Sequence, residues 1–340
     1  MKNLKYFFGL SAIFMASSVN AQQTDLDLLV DDLLVLADGF ASPAAESAAY
    51  QATAGWFTSA KSLEKWKVDV SLHANAIFVP SSKKEYSLNN NDFGIIQFVG
   101  EDRGLLPTAF GKDSEFQFQG SRNIVIEESD NVPLPAGTEI PISTFNAIDG
   151  IDKGALAYPF AQVSVGLPLN TQIGFRALPA LDIDGSEFST YGVGLKHSLS
   201  QYFGRRRARQ DDLEVAAIVA YDIFDVKYAF DPVDVPNILQ LNQIDVNAGV
   251  WMAEIMASKR YESFEIFGAL GAAQSDFEYE FGGSGLGLRL VNNEISRLND
   301  SQAQFKGDIG FNLYFNSFKV STMATAGKYV NLNVGLHFLL

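Results

Sequence analysis

The last thirteen residues, Lys328 to Leu340 (KYVNLNVGLHFLL), alternate with a period of two. Val330, Leu332, Val334, Leu336, Phe338 and Leu340 share one face of a strand; Tyr329, Asn331, Asn333, Gly335 and His337 share the other, and only Leu339 breaks the rule. A strand with one unbroken apolar face and nothing after it to cover that face is expected to close a membrane β-barrel, where lipid does the covering. The pattern recurs. Val68, Val70, Leu72, Ala74, Ala76 and Phe78 oppose Lys67, Asp69, Ser71, His73 and Asn75, a length that suits a tilted membrane strand of roughly 9–11 residues. It returns at Ala161–Leu167, Thr190–Lys196 and Gln304–Phe315, whereas Leu213–Phe230, Ile244–Met256 and Tyr261–Phe277 are less regular.

Composition agrees. Apolar residues make up 47% of the 340, yet mean hydropathy is only +0.04. No helix-length apolar run follows the N-terminus, so strands with two unlike faces are the expected solution. Cys is absent, which removes disulfides, thiolate metal sites and thiol nucleophiles. Lys2 and Lys5, the apolar run Tyr6–Ala16 and Val19-Asn20-Ala21 read as an export signal over residues 1–21. Losing it removes two lysines and no acid, shifting the net charge from −15 to −17 and making nucleic acid an unfit partner. The one basic run, Arg205-Arg206-Arg207-Ala208-Arg209, is expected to be a solvated turn beside lipid head groups.

Residues 22–65 are expected to form a short N-terminal helical plug or hatch, and 66–340 the barrel. Leu26, Leu29, Leu33 and Leu36 share a helical face, and Ser42-Pro43 reads as the start of a second helix that brings Tyr50, Trp56 and Phe57 to its end. The plug candidates are Leu29, Leu33, Tyr50, Trp56 and Phe57. Counted back from Leu340 placed in the periplasm, short turns at Asn316-Ser317, Ser258–Arg260, Gly204–Gln210 and Pro168–Asn170 share one side, and longer connections share the other. This predicts nine strands from Ala155 onward plus the one at Lys67. A further pair at Phe93–Val99 and Glu115–Glu127 brings the expected all-β, transmembrane antiparallel β-barrel to about 12–14 strands, within a range of 10–14. Aromatics grouped at strand ends (Tyr202, Phe203, Tyr228, Phe230, Phe277, Tyr279, Phe281, Tyr314, Phe315, Tyr329) suggest interfacial girdles.

Chemistry is sparse. His73, His197 and His337 lie on separate strands without metal spacing, no G-x-S-x-G elbow occurs, and Gly192-Val193-Gly194 and Gly283–Gly287 open no helix after a buried strand. No cofactor, metal or enzyme activity is therefore expected, and such strand glycines suit a bend in the wall or room for a plug. The inward face offers Lys67, Asp69, His73, Asn75, Gln162, Arg176, Lys196, Lys306, Asp308 and Asn312 as lumen-lining candidates. Tyr329, Leu336 and Phe338 are the candidate insertion signal for the barrel assembly machinery, although Leu339-Leu340 follows the aromatic.

Gly55-Trp56-Phe57-Thr58-Ser59-Ala60-Lys61, Leu106-Pro107-Thr108-Ala109-Phe110-Gly111 and Tyr191-Gly192-Val193-Gly194-Leu195-Lys196-His197 resemble a family of uncharacterised bacterial outer-membrane barrels. That family is distantly similar to long-chain fatty-acid transporters and to secretion-system barrels of gliding bacteria. The resemblance implies up to fourteen strands, an N-terminal hatch and an outer-membrane location. Where the transporters carry Asn-Pro-Ala in the hatch, this chain has Ser42-Pro43-Ala44. The expected function is binding or passing a small hydrophobic molecule through a plugged lumen, with outer-membrane lipid as surroundings; the alternative is a non-transporting structural or docking barrel for surface or secretion partners.

Overall fold

The computed structural model describes residues 23–340 except 131, 184–185, 204–212, 236–237 and 299–300. The export signal and the Arg205–Arg209 run lie outside the described residues. Ten antiparallel strands close a barrel: β1 Val68–Phe78, β2 Ala155–Leu167, β3 Thr171–Ile183, β4 Ser186–Ser198, β5 Leu213–Val235, β6 Leu239–Tyr261, β7 Phe264–Ser284, β8 Ser301–Phe315, β9 Phe318–Ala326 and β10 Val330–Leu339. Each pairs with its neighbours in sequence, and β1 closes the ring between β2 and β10. Val330, Leu332, Val334, Leu336 and Phe338 are all exposed on the outer face of the closing strand.

Ten strands, not twelve to fourteen, form the wall. The pair expected at Phe93–Val99 and Glu115–Glu127 folds instead into Ile96–Phe98 and Gln117–Gly120, which join Phe145–Asn146 in a small separate sheet. These strands are too short to cross hydrocarbon, and Phe93, Phe98, Phe118 and Phe145 turn toward one another as a miniature core. Residues 79–154 thus form a cap of short sheets over one end of the barrel.

The expected turn at Ser258–Arg260 moves to Glu262-Ser263, with Glu262 at φ 51°. Lys259 and Arg260 stay in the ladder, opposite Ile266 and Glu265, with their charged heads over aromatic rings, Arg260 on Tyr314 at 3.6 Å and Lys259 on Tyr261 at 5.1 Å.

Strands β5, β6 and β7 span 23, 23 and 21 residues, about twice the need of a bilayer. Their polarity inverts midway. In the half near the C-terminal end of the barrel the outer face carries Val219, Ile223, Trp251, Ile255, Ile266 and Leu270, and the inner face Asp222, Glu254, Ser258 and Glu265. Beyond that level Asp225, Asn247 and Glu278 align across the ladder on the outside, followed by Lys227, Asp245 and Glu280. The inside there becomes Phe224, Ile244, Val246, Phe277, Tyr279 and Phe281, all buried. Lipid faces the first half and water the second, so each face changes sides where the strands leave the membrane. This inversion is why the three segments read as irregular. It also corrects the girdle: Tyr202, Phe203 and Phe315 are exposed, whereas Phe277, Tyr279, Phe281 and Tyr329 point inward.

One continuous helix, α1 Asp25–Ala52, replaces the two expected, with Thr24 and Asp27 forming a reciprocal capping box and Pro43 inside. Proline in a helix interior costs about 3 kcal/mol, which burial on many sides offsets here: Leu26, Leu29, Leu33, Leu34, Phe40, Ala45, Ala49 and Tyr50 are all buried. The helix starts in the cap, where Asp25 meets Arg122 and Asp32 accepts three backbone N–H groups from Gly94, Ile95 and Ile96. It ends inside the barrel beside Asn75. Residues 53–65 then run on to the opposite mouth, where Trp66 N–H donates to the Gly166 carbonyl and β1 begins.

Candidate functional site

A helix leaves its last carbonyls without intrahelical donors, and α1 has no basic residue in its last turn to meet them. The barrel wall supplies the donors. Arg176 on β3 donates to the carbonyls of Ala52 and Ala54 at 2.9 Å each, and Lys306 on β8 to that of Thr53 at 2.8 Å. Further along, Gln162 reaches the Trp56 carbonyl (2.8 Å), Asn312 that of Thr58 (2.6 Å), and Lys196 those of Ser59 (2.7 Å) and Lys61 (2.9 Å). Asn75 and Gln51 exchange side-chain to backbone bonds. Each wall side chain here lies on an inward strand position and is buried.

The cations are themselves balanced. Lys306 sits 3.0 Å from both Glu254 and Asp308, and the Arg176 guanidinium lies between the rings of Trp56 (4.2 Å) and Phe160 (4.1 Å). Trp56 Nε1–H donates to Asp222 at 2.8 Å, and its ring fills the space that a side chain at Gly192 or Gly194 would need. The glycine pair therefore gives Trp56 its room. Of the ten lumen-lining candidates, Asp69, His73, Asn75, Gln162, Arg176, Lys196, Lys306, Asp308 and Asn312 are buried on the inward face, while Lys67 precedes β1 and is exposed at the mouth. Sequence reasoning missed Asp222, Glu254, Glu265 and Lys319, whose signal was present: each occupies an inward position between outward apolar or small residues. The plug candidates Leu29, Leu33, Tyr50, Trp56 and Phe57 are all buried.

On β1, β9 and β10, Ser321 Oγ lies 2.9 Å from His337 Nε2, and His337 Nδ1 3.0 Å from Asp69, which also faces Lys319 at 3.5 Å. The connectivity is that of an acyl-transfer relay. Ser321, however, has no exposed surface and lines none of the described cavities, and the neighbouring His73 ring packs edge-on to His337 at 5.1 Å. The arrangement ties three strands together inside the wall. A cavity of about 300 Å³ opens at this mouth, where Lys61, Lys67, Asp69, Lys196, Glu265 and Lys319 line it together with Trp56, Phe57 and Leu339. Among the described residues no group of three or more His, Asp or Glu side chains is placed to hold a metal ion.

Toward the capped end the interior changes character. Ala41, Ala44, Ala45 and Ala48 of α1 face Tyr158, Phe188, Val226, Ile244 and Val246 of the wall across a crevice of about 90 Å³, roofed by Phe40, Ala109 and Phe110. Small residues on the helix leave the gap. Among the described residues no Lys, Arg, Asp or Glu lines it.

Glu46 holds α1 to the rim next to this crevice. It pairs with Lys328 at 2.6 Å and Lys83 at 2.9 Å and accepts from the Tyr329 hydroxyl at 3.1 Å. Burial pushes its carboxyl up, but the two ammonium groups outweigh that and hold it below the ordinary value. Asp32 shifts the other way, because burial there exceeds the effect of its three backbone donors. Of the insertion-signal candidates, Leu336 and Phe338 face outward, whereas Tyr329 points inward to Glu46 and the Pro43 carbonyl.

The transport unit of the autotransporter AIDA-I from Escherichia coli is similar at 10% identity and TM-score 0.30, over 87% of this chain and 98% of its own. The outer membrane protease OmpT from Escherichia coli is similar at 10% identity and TM-score 0.31, over 83% and 100%. The outer membrane channel DcaP of Acinetobacter baumannii is similar at 10% and 0.22, over 81% and 96%. No curated protein matches. A family model matches the whole chain, residues 1–340, and the protein belongs to that family, the family of unknown function DUF6588.

Proposed function

We propose that the protein is an outer-membrane barrel whose residues 22–65 act as a plug, and that it binds a small hydrophobic molecule between that plug and the wall. The observation that carries this reading is the apolar crevice beneath the cap. It lies beside the narrow alanine face of α1, at the level where the wall changes from polar to apolar inside. Its present volume, about 90 Å³, is below the roughly 300–1,000 Å³ of a drug-sized site. A resident ligand is therefore small, or its entry displaces α1. The absence of a lining cation favours an uncharged molecule over a fatty-acid anion.

Lipid-phase mass spectrometry of the purified barrel tests the reading. A co-purifying apolar compound that disappears from an Ala48→Trp variant, whose ring fills the crevice, is the expected result; no ligand in either protein would sink it. A second reading, a non-transporting docking barrel, is favoured by a different observation: the passage is filled from Gln51 to Leu63 by chain bonded to the wall. A stoichiometric protein partner in detergent pull-downs, with no lipid-phase ligand, would decide for it.

A further inference from the structure

The wall of the barrel is not paired all the way up. Between β2 and β3 the ladder runs from Leu167↔Thr171 to Ala161↔Ala177 and stops there, although both strands continue, β2 to Ala155 and β3 to Ile183. Continued in register, the next outward pair would be Pro159 with Pro179. Neither residue has an N–H to give, so the ladder lacks donors on both sides at one level. β3 then diverges further: against β4 its register shifts between Leu178 and Leu181, taking Pro179 and Ala180 out of line. The other edge of β2 is fully paired to β1 over the same stretch, from Leu72↔Ala161 to Phe78↔Ala155.

This seam opens at the upper edge of the lipid belt, where Ala177 still pairs with Tyr191 and Tyr191 with Ile223, before Glu187 and Lys227 pair further up. Its outer lips are Ala157, Pro159 and Ala161 on one side and Ala177 and Pro179 on the other, and β1 beside it still turns Leu72 and Phe78 outward. Unpaired backbone in hydrocarbon costs several kcal/mol per group, so an unzipped stretch of transmembrane wall calls for a reason. What lies directly behind it supplies one. Leu156, Ala157 and Tyr158 of β2 and Ser186 and Phe188 of β4 line the apolar crevice. The Tyr158 and Phe188 rings meet at 4.8 Å, reaching past β3 from the strands on either side of it.

We propose that the seam between β2 and β3 above Ala161 and Ala177 is a lateral portal, gated on the inside by the Tyr158–Phe188 ring pair, through which an uncharged apolar molecule exchanges between the bilayer and the crevice. This rests on the crevice being a binding site. It adds a route that bypasses both the cap and the ion-paired lower lumen, so the plug need not leave the barrel.

The chain has no cysteine, so a Pro159→Cys, Pro179→Cys double variant reports on the seam alone. The full-length protein is reconstituted in phosphatidylcholine vesicles with fluorobenzene, and exchange between bilayer-dissolved and protein-bound pools is followed by fluorine NMR. The expected result is exchange at least tenfold slower in the oxidised variant than in the reduced one, restored by reductant. Unchanged exchange on oxidation overturns the portal while leaving the crevice as a site filled from the capped end. No bound pool in the wild-type protein overturns both. Where the cysteines do not oxidise, Pro159→Val with Pro179→Val, which returns two donors to the ladder, is the second probe: slower exchange supports the portal, and an unchanged rate overturns it.

Discussion

The two halves of the barrel interior are built on opposite principles. Near the C-terminal mouth, six buried charged and amide side chains (Asn75, Gln162, Arg176, Lys196, Lys306 and Asn312) hold the helix end and the chain after it by their carbonyls, with Lys306 3.0 Å from both Glu254 and Asp308. Near the cap, an alanine face opposes aromatic and β-branched side chains with no charge between them. The first arrangement is directional and fails when one partner is lost; the second is non-directional and tolerates displacement. A barrel that needed only to be sealed could have used either throughout. With both present, displacing a side chain costs more in the lower interior than in the upper.

The largest effect should come from Lys306→Met, which leaves two buried carboxylates and the Thr53 carbonyl without their cation. Removing one partner of such a pair costs about 3–5 kcal/mol, read as the urea midpoint of the folded barrel in detergent; a loss below about 1 kcal/mol would break the contrast between the halves. Next, Gly194→Val drives a side chain into Trp56, and overpacking of this kind costs about 1–3 kcal/mol. It should also loosen residues 53–60, seen as faster amide exchange there. In the upper half, Ala44→Leu should change stability by less than about 1.5 kcal/mol, since it fills a gap, while abolishing uptake of an apolar probe. Equal destabilisation by Ala44→Leu and Gly194→Val would mean that the two regions are not different in kind.

The smallest effect is a pH dependence at the rim. The carboxyl of Glu46 is depressed in the folded protein, so its contribution is present above the unfolded value and is lost as pH falls through the lower folded value. Asp32, whose value is raised, acts with the opposite sign and favours the fold slightly as it protonates. Acidification below the ordinary carboxylate range should therefore raise amide exchange around Glu46 before that around Asp32. Glu46→Gln should remove the first response.

Much of the wall was legible because β1 and β10 are lipid-covered along their whole length, so the period of two stays in phase from Val68 to Phe78 and from Val330 to Phe338. The path of β5–β7 was not, since Ile223 and Asp225 are both outward and only the membrane boundary between them explains the change. The inward acids could have been found by parity, as Asp222 sits between Tyr221 and Ile223. The Ser321–His337–Asp69 chain could not: it joins three strands through register alone. Nor could the single helix, because Ser42-Pro43 is a local start signal overridden by packing against wall and cap.

The path of residues 53–65 sets the order in which the molecule can be made. They start inside the barrel, where α1 ends, and leave at the mouth opposite the cap, within a ring that closes only when β10 meets β1. Residues 53–65, made before the wall, must therefore wait for the later-made β10 to arrive, and assembly becomes a race between closing the hoop and threading it. Variants that weaken the wall's grip on these carbonyls should show their defect as slow or empty closure during biogenesis, before any defect in the finished protein.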